Sequence, residues 1–505
     1  MASRFFITII GVQCWLLVMT FGNSLVQHVT SATAAPCPSH CQNGRYHQED
    51  HAGIIATTNK SARALPHESL DQSYGRPFRA HGCAAHLFVE FGAYRGGNRT
   101  FTILGLASKP LHTYGHPTFS CEWIPPAISV SENTKIYTLE GTVTKDYPDY
   151  GYGRAYTVVV ITCTFDVDVG TDSKGGELIL HAYHGDAMGR EERIVALSEK
   201  VGDYNSHVFD PPYPYDFLYC GSPLFGRLNA RRVREWIAYH DMVFGERSHF
   251  VLYDAGGIHQ AVRQALQPWI GLGRVSIQDV RSTAHFDGYY YNQFLMVNDC
   301  LQRSKFLANW TFFFDLDEYV YVEPPHSLHS VMAERHIHGG GFDGSVTEIS
   351  FTQYRMVKNL CHSAGGGARA RAPHRMQSVF KQWGFEKLAY RDLSSSNRDV
   401  KYLCNPRAVY ATGVHGVEHF KRGPQERFND TIVRYYHYHG IINMQDESTM
   451  CMELSDDMDG AHNFTRAKGT SDEAAGGIVQ YDGSMLPFAL MAKKHELEVL
   501  QKLLH

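Results

Sequence analysis

Excess basic charge is what this 505-residue chain most conspicuously lacks: 47 Lys and Arg face 52 Asp and Glu, for a net charge of −5 with His neutral. A nucleic-acid binder draws its affinity from a strongly basic face, so that class drops out and any phosphate-bearing partner must be met locally. A second close cysteine pair is also missing. Cys37-Pro-Ser-His-Cys41 stands alone, which excludes a zinc finger. Nor does any second cluster of His and Asp ligands lie close in sequence to the acidic motif described below, which counts against a metal-dependent hydrolase.

What is present builds cores. Hydrophobic residues make up 43% and aromatics 12%, with 29 Tyr and 28 Phe against 20% charged residues, and the length exceeds one ordinary core, so two domains are expected. Beyond Cys14 the cysteines fall at 37, 41, 83, 121, 163, 220, 300, 361, 404 and 451, an even, scattered set that suits disulfides in an oxidising compartment. Sequons at Asn59, Asn98, Asn309, Asn429 and Asn463 would be glycosylatable in a lumenal chain. After Arg4, the run FFITIIGVQCWLLVMTFG has about the length needed to enter a bilayer. A signal peptide cleaved near Ala32-Thr33-Ala34 and a retained signal anchor over residues 1–30 both fit, and both imply export. Residues 31–80, rich in Ser, Ala, His, Pro and Gly, read as a flexible stem.

From 81 to 205 short alternating segments follow one another between turn residues. His86–Phe91, Thr100–Leu106, Lys135–Gly141, Tyr156–Phe165 and Glu177–Tyr183 predict an all-β sandwich. Between two of them, Tyr147-Pro-Asp-Tyr150-Gly-Tyr152-Gly offers three tyrosines, either stacking on sugar rings or packed as a turn against the sandwich itself. The grammar changes over 206–505. A strand at Leu218–Phe225, a helix at Asn229–Phe244 with Asn229 as N-cap, a strand at His249–Asp254, a helix at Gln260–Leu266, a strand at Arg274–Val280 and a helix at Tyr291–Ala308 predict a mostly parallel sheet. Ligands of such sheets sit beyond the carboxyl ends of the strands, where Ser222, Asp254 and the Gly256-Gly257 turn fall.

The motif that carries chemistry is Thr311-Phe-Phe-Phe-Asp315-Leu-Asp317-Glu318. An aromatic strand runs straight into acidic residues, and strand alternation would put Asp315 and Asp317 on one face with Leu316 in the core. Two hard oxygen donors suit Mg²⁺ or Mn²⁺, with positions left for diphosphate oxygens. Glu318, one step off that face, reads as support for the turn.

Phe314-Asp-Leu-Asp-Glu-Tyr, Glu235-Trp236-Ile-x-x-His240, Tyr253-Asp254-Ala-Gly-Gly, Asn298-Asp-Cys-Leu and Trp383-Gly-Phe-Glu-Lys-Leu together resemble the family 92 glycosyltransferases, the plant β-1,4-galactan synthases among them. The resemblance runs from about Pro212 to the C-terminus, and the β-rich part resembles the carbohydrate-binding module that precedes such domains. It implies an α/β GT-A fold, Mn²⁺, UDP-galactose as donor, β-1,4-galactan of pectin as acceptor, a single-pass type II place in the Golgi membrane, and a homodimer. It also implies donor contacts at Ser222, Pro223, Leu224, Asp254, Gly256 and Gly257, and a metal on Asp315 and Asp317 completed by a C-terminal His. His415, flanked by glycine, is favoured over His437 and His439. Making a β link from an α-linked donor inverts the anomeric carbon and requires a general base. Glu386, beside a sugar-stacking Trp383, is the first candidate, ahead of Asp392 and Glu348, with an ordinary Glu386–Lys387 surface pair as the alternative. Gly365–Arg371 reads as a cationic lid or a solvated loop. A glycan-binding protein with an inactive transferase domain and a metal-dependent hydrolase are the competing functions.

Overall fold

A computed structural model describes residues 79–81, 88–108, 117–126, 137–146, 156–183, 191–282, 290–339, 346–362, 382–394, 399–421, 423–445, 450–451, 453–455, 461–463 and 478–503. The expected anchor, nearly all of the stem, Tyr147, Tyr150, Tyr152 and the segment 365–371 lie outside the described residues. Among the described residues no helix is long and apolar enough to cross a membrane.

Eight strands come first: β1 (Arg79–His81), β2 (Phe88–Arg95), β3 (Thr100–Ser108), β4 (Thr118–Ile124), β5 (Tyr137–Asp146), β6 (Tyr156–Thr164), β7 (Gly176–Tyr183) and β8 (Glu191–Glu199). They hydrogen-bond in the order β1-β2-β3-β6-β5-β4-β7-β8. Rather than two separate sheets, one strand serves both layers. β5 pairs with β4 through Tyr137–Gly141 and with β6 through Thr142–Asp146, and so carries the sheet around a corner. Phe101, Ile103 and Ile161 from one layer meet Trp123, Leu178 and Leu180 from the other in a common core. A Cys121–Cys163 disulfide ties β4 to β6 across that core.

β6 reads Val158-Val-Val-Ile161 without alternation because both of its faces are covered. Val159 and Ile161 enter the core just described, while Val158 and Val160 join Val89, Phe91, Leu104 and Leu106 against Phe294, Val297 and Leu301 of a helix in the following region.

That region holds β9 (Tyr215–Cys220), α1 (Ala230–Phe244), β10 (Ser248–Asp254), α2 (Gln260–Gly271), β11 (Val275–Asp279), α3 (Gln293–Ser304), β12 (Ala308–Phe313), β13 (Glu318–Val322), α4 (Leu328–Gly339), β14 (Glu348–Arg355), β15 (Leu360–His362), α5 (Gly384–Lys387), β16 (Tyr390–Asp392), β17 (Val400–Cys404), β18 (Val409–Thr412), β19 (Val417–Phe420), β20 (Gln425–Arg427) and β21 (Val433–His437). Three short strands later it closes with α6 (Leu486–Lys502). The main sheet runs β11-β10-β9-β12-β17-β14-β21-β13, with β20 beside β14. Only β11, β10, β9 and β12 form the parallel half that the βαβα order predicts. Antiparallel pairings at β12–β17, β14–β17 and β13–β21 make the whole sheet mixed.

Local chemistry sets the element ends. Asn229 caps α1 by accepting from the Arg231 N–H at 3.0 Å, an interaction worth about 1 kcal/mol against Ala. α3 starts at Gln293, later than expected, because Tyr290, Tyr291 and Asn292 take left-handed φ values of 44°, 55° and 61°. It stops at Ser304 because Ala308 already belongs to β12. Cys220–Cys300 clips the end of β9 to α3, and Cys361–Cys451 closes a second bridge. Cys404 departs from the disulfide expectation. It is a buried free thiol whose pKa burial pushes up.

Asp299, fully buried on α3, locks the β-rich region to the mixed sheet: it accepts from Tyr94 of β2, from Tyr253 of β10 at 2.7 Å and from Arg303 one turn along at 2.7 Å.

Candidate active site

β12 delivers its aromatic run into a turn, not to the end of a strand. The Glu318 N–H donates to the Asp315 carbonyl at 3.1 Å, and Glu318 Oε2 accepts back from the Asp315 N–H at 2.7 Å. Asp315 and Asp317 therefore reach the same cavity through turn geometry, while Leu316 is buried among the core residues. Glu318, 1% exposed, braces the turn as its place in the sequence suggests.

A buried cation organises these carboxylates. Lys401 on β17 donates to Asp315 Oδ2 at 2.8 Å and lies 3.5 Å from Glu318 Oε2. On the other side Ser222, itself receiving a hydrogen bond from Gln293 at 2.5 Å, donates to Asp315 Oδ1 at 2.6 Å. Burial alone would raise the Asp315 carboxyl, but Lys401 and Ser222 outweigh it and bring it down to about 2. Asp317 is pushed the other way, to about 6, by burial and then by the Asp315 charge. Burial lifts Glu318 to about 8 despite Lys401. Against the cost of burial, Asp315 and Glu318 hold the Lys401 ammonium above its usual range.

Pairing of β13 with β21 completes the cluster. Its register sets Glu318 opposite His437, while Asp317 accepts from the Tyr438 N–H through its carbonyl and from the Gly440 N–H through Oδ2, both at 2.9 Å. One ligand atom each from Asp317, His437 and His439 then falls within 4.8 Å of the others, a spacing that can hold a metal ion. Burial, followed by His439 and Lys401, lowers His437 to about 3, and burial also lowers His439. Neutral imidazoles are the form in which histidine ligates metals. The Gln353 amide lies 2.8 Å from His437 Nδ1. With that amide turned so that its oxygen accepts the Nδ1 proton, the Nε2 lone pair faces Asp317, 3.6 Å away.

The cavity encloses about 810 Å³. Ser222, Pro223, Leu224, Phe225 and Tyr290 line it, as do Asp315, Asp317, His437 and His439, and the hairpin residues Val414 to Glu418. Three of the six expected donor contacts, Ser222, Pro223 and Leu224, are therefore on the wall. The other three build the loop behind it. Asp254 Oδ1 accepts from the Gly256 and Ile258 N–H groups, Gly256 has φ +101°, and a Cβ at Gly257 would lie 2.8 Å from the Leu224 carbonyl carbon.

The expected third ligand, His415, lines the cavity but stands outside the metal-ready group. On the β18–β19 hairpin its Nδ1 is 3.1 Å from the Val400 carbonyl of β17, whereas the β13–β21 register supplies His437, with His439 two residues past the strand end. Glu386, Asp392 and Trp383 are not among the residues lining this cavity, and their groups are engaged elsewhere. Glu386 caps the Trp383 N–H at 3.0 Å and pairs with Lys493 of α6, while Lys387 is buried and so forms no surface pair. Trp383 is buried against Phe385, with Lys493 over its ring. Asp392 accepts from the Ser394 N–H at 2.9 Å. Glu348 lies under the hairpin, accepting from the Val417 N–H at 2.6 Å. Sequence reasoning missed Lys401, Gln293 and the primacy of His437 and His439. His437-x-His439 repeats the spacing of Asp315-x-Asp317 and was a usable signal, while Lys401 offered none.

Comparison with known proteins places this geometry in context. The model of glycosyltransferase family 92 matches residues 215–468. Three Arabidopsis thaliana proteins are similar over most of their length. Galactan β-1,4-galactosyltransferase GALS1 is 44% identical over 380 residues, 75% of this chain and 71% of that protein. Its namesakes GALS2 and GALS3 are 46% identical over 74% of this chain and 69% of theirs, and 42% identical over 79% and 76%.

Proposed function

The chain belongs to glycosyltransferase family 92, and from that premise we propose that it transfers galactose from UDP-galactose onto β-1,4-galactan side chains of pectin, inverting the anomeric carbon. The observation that carries the reading is the convergence of Asp317, His437 and His439 with Asp315 on one cavity beside the carboxyl ends of β9 and β12.

Asp317, His437 and His439 would hold the divalent cation, and two imidazoles beside one carboxylate favour Mn²⁺ over Mg²⁺, which prefers an all-oxygen shell. When bound, that ion supplies Lewis-acid stabilisation of the departing nucleoside diphosphate. Ser222 and Gln293 fix one Asp315 oxygen while Lys401 fixes the other, so the acidic turn is held in place before any ligand arrives. Ser222, Pro223, Leu224 and Phe225 form the donor side of the cavity, and the β18–β19 hairpin forms a wall available to the acceptor.

The same reading brings the GT-A architecture, supported by the parallel β11-β10-β9-β12 half, and a glycan-binding role for the all-β region. With it go an N-terminal anchor, a type II place in the Golgi membrane and a homodimer. Purified lumenal protein incubated with UDP-galactose, Mn²⁺ and β-1,4-galactooligosaccharide tests the activity. Extension of the oligosaccharide is expected. Shortening would favour a hydrolase, and binding without turnover a lectin. Asp317→Ala should abolish extension while glycan binding persists, and a fully active variant would remove the metal assignment.

A further inference from the structure

The geometry points to Glu418 as the general base that takes the proton from the acceptor hydroxyl, an assignment that rests on the transferase reading above. Among the described residues three carboxylates line the cavity: Asp315, Asp317 and Glu418. The first two share the acidic turn on the side that would face the metal and diphosphate. Asp315 receives Ser222 on one oxygen and Lys401 on the other, and Asp317 belongs to the metal-ready group. Glu418 comes from a different wall, the β18–β19 hairpin, and its side chain is exposed where an acceptor can enter.

Its placement is built, not incidental. A Cβ at Gly413 would lie 2.7 Å from Glu418 Oε1 and 3.1 Å from its Cγ, so the carboxylate rests against the bare α-carbon of that residue. The turn beneath it is closed by the Gly413 N–H donating to the Gly416 carbonyl at 2.8 Å. Tyr402 donates to the Gly413 carbonyl at 2.7 Å, and Asn298 exchanges hydrogen bonds of 2.9 Å with both backbone groups of Thr412. Glu348 holds the far side through the Val417 N–H and the Gln425 amide. A carboxylate on so firmly rooted a hairpin loses little freedom when it engages a substrate.

The step balances as a single displacement. The acceptor oxygen forms its bond to the anomeric carbon as the bond from that carbon to the UDP oxygen breaks. That electron pair leaves on the diphosphate, and the hydroxyl proton passes to Glu418, from which it returns to water at the open rim. Base removal typically costs about 10²–10⁴-fold in rate.

Glu418→Gln in the intact protein should lower kcat by about that factor while UDP-galactose affinity with Mn²⁺, measured calorimetrically, and melting temperature stay at wild-type values. The acid limb of the kcat/KM profile should flatten in the same variant, and formate should restore part of the activity of Glu418→Ala. The assignment is overturned if Glu418→Gln keeps wild-type kcat, if donor affinity falls in parallel with kcat and formate restores nothing, or if His415→Gln alone abolishes the acid limb. Wild-type protein that transfers no galactose would sink the parent reading instead. Wild-type transfer matched by Glu418→Gln would sink only this one.

Discussion

Replacing Lys401 by Met tests the electrostatic account of the acidic turn most directly. The ammonium is 2% exposed, 2.8 Å from Asp315 and 3.5 Å from Glu318. At an effective dielectric constant of about 20 the attraction to Asp315 amounts to about 6 kcal/mol, and Glu318 adds about 5 kcal/mol only once it ionises at alkaline pH, before the cost of desolvating the ions, which cancels much of it. Breaking a buried pair by removing one partner leaves about 3–5 kcal/mol of net loss. For a cooperative unit of roughly 300 residues, with an unfolding entropy near 2.1 cal/mol/K per residue, that is about 5–8 °C in melting temperature. The sign of the pH dependence follows from the carboxyls. Asp317 at about 6 and Glu318 at about 8 are already raised, and without Lys401 all three acids in the turn rise further. The lysine proton is lost from the native and unfolded states alike, whereas the carboxyls bind extra protons only in the variant's native state, so the deficit widens as pH rises. Thermal unfolding followed by circular dichroism at about pH 5.5, 7 and 8.5, at constant ionic strength, reads both effects. An unchanged melting temperature, or a deficit that shrinks toward alkaline pH, would refute the reasoning.

Three further outcomes are expected. His240 and His249 are buried and lowered by that burial to about 3 and about 4, so their contribution is complete above the unfolded value near 6.5 and is lost as pH falls below it, at up to ~1.4 kcal/mol per pH unit each. His249→Gln should make the acid dependence of stability shallower by about one proton, and an unaltered slope would contradict the assignment. Gly257→Ala forces a methyl group to within 2.8 Å of the Leu224 carbonyl carbon and of Phe225 N. It should cost about 1–3 kcal/mol and raise KM for UDP-galactose more than it lowers kcat, and steady-state kinetics showing the reverse would move the donor away from that wall. Cys300→Ala removes the clip between β9 and α3 and should cost about 2–5 kcal/mol, read as a lower melting temperature that reductant no longer changes at this bridge.

Local pattern and long-range pairing contributed unequally to what the sequence disclosed. Asn229 as a cap, the strand at Ser248–Asp254 and the apolar run into Asp315 are written in adjacent residues, and all three are found close to where the sequence puts them. β4 and β8 escaped notice because Thr118-Phe-Ser-Cys-Glu-Trp-Ile is short and Glu191-Glu-Arg-Ile-Val-Ala-Leu-Ser-Glu carries charges at both ends. The acidic pair announced itself, but its partners did not. His437 reaches Asp317 only through the pairing of β13 with β21, strands more than a hundred positions apart, and Lys401 arrives on β17 from yet another part of the chain. Glu386 misled for the converse reason. A Trp beside a carboxylate describes both a sugar platform and a capped helical turn, and the turn is what Trp383 N–H and Lys493 make of it.

The apolar face shared by β2, β3, β6 and α3 limits how the protein can be dissected. A truncation beginning near residue 206 would turn the α3 side of that core, including Phe294, Val297 and Leu301, out to water, and an isolated strand region would do the same to Val89, Phe91, Leu104 and Leu106. Asp299 would lose the hydroxyl of Tyr94 in the first case, and Tyr94 would lose that carboxylate in the second. Fragments cut at the apparent seam would be sticky and poorly soluble, so a bond between glycan and strand region is best weighed in the intact chain.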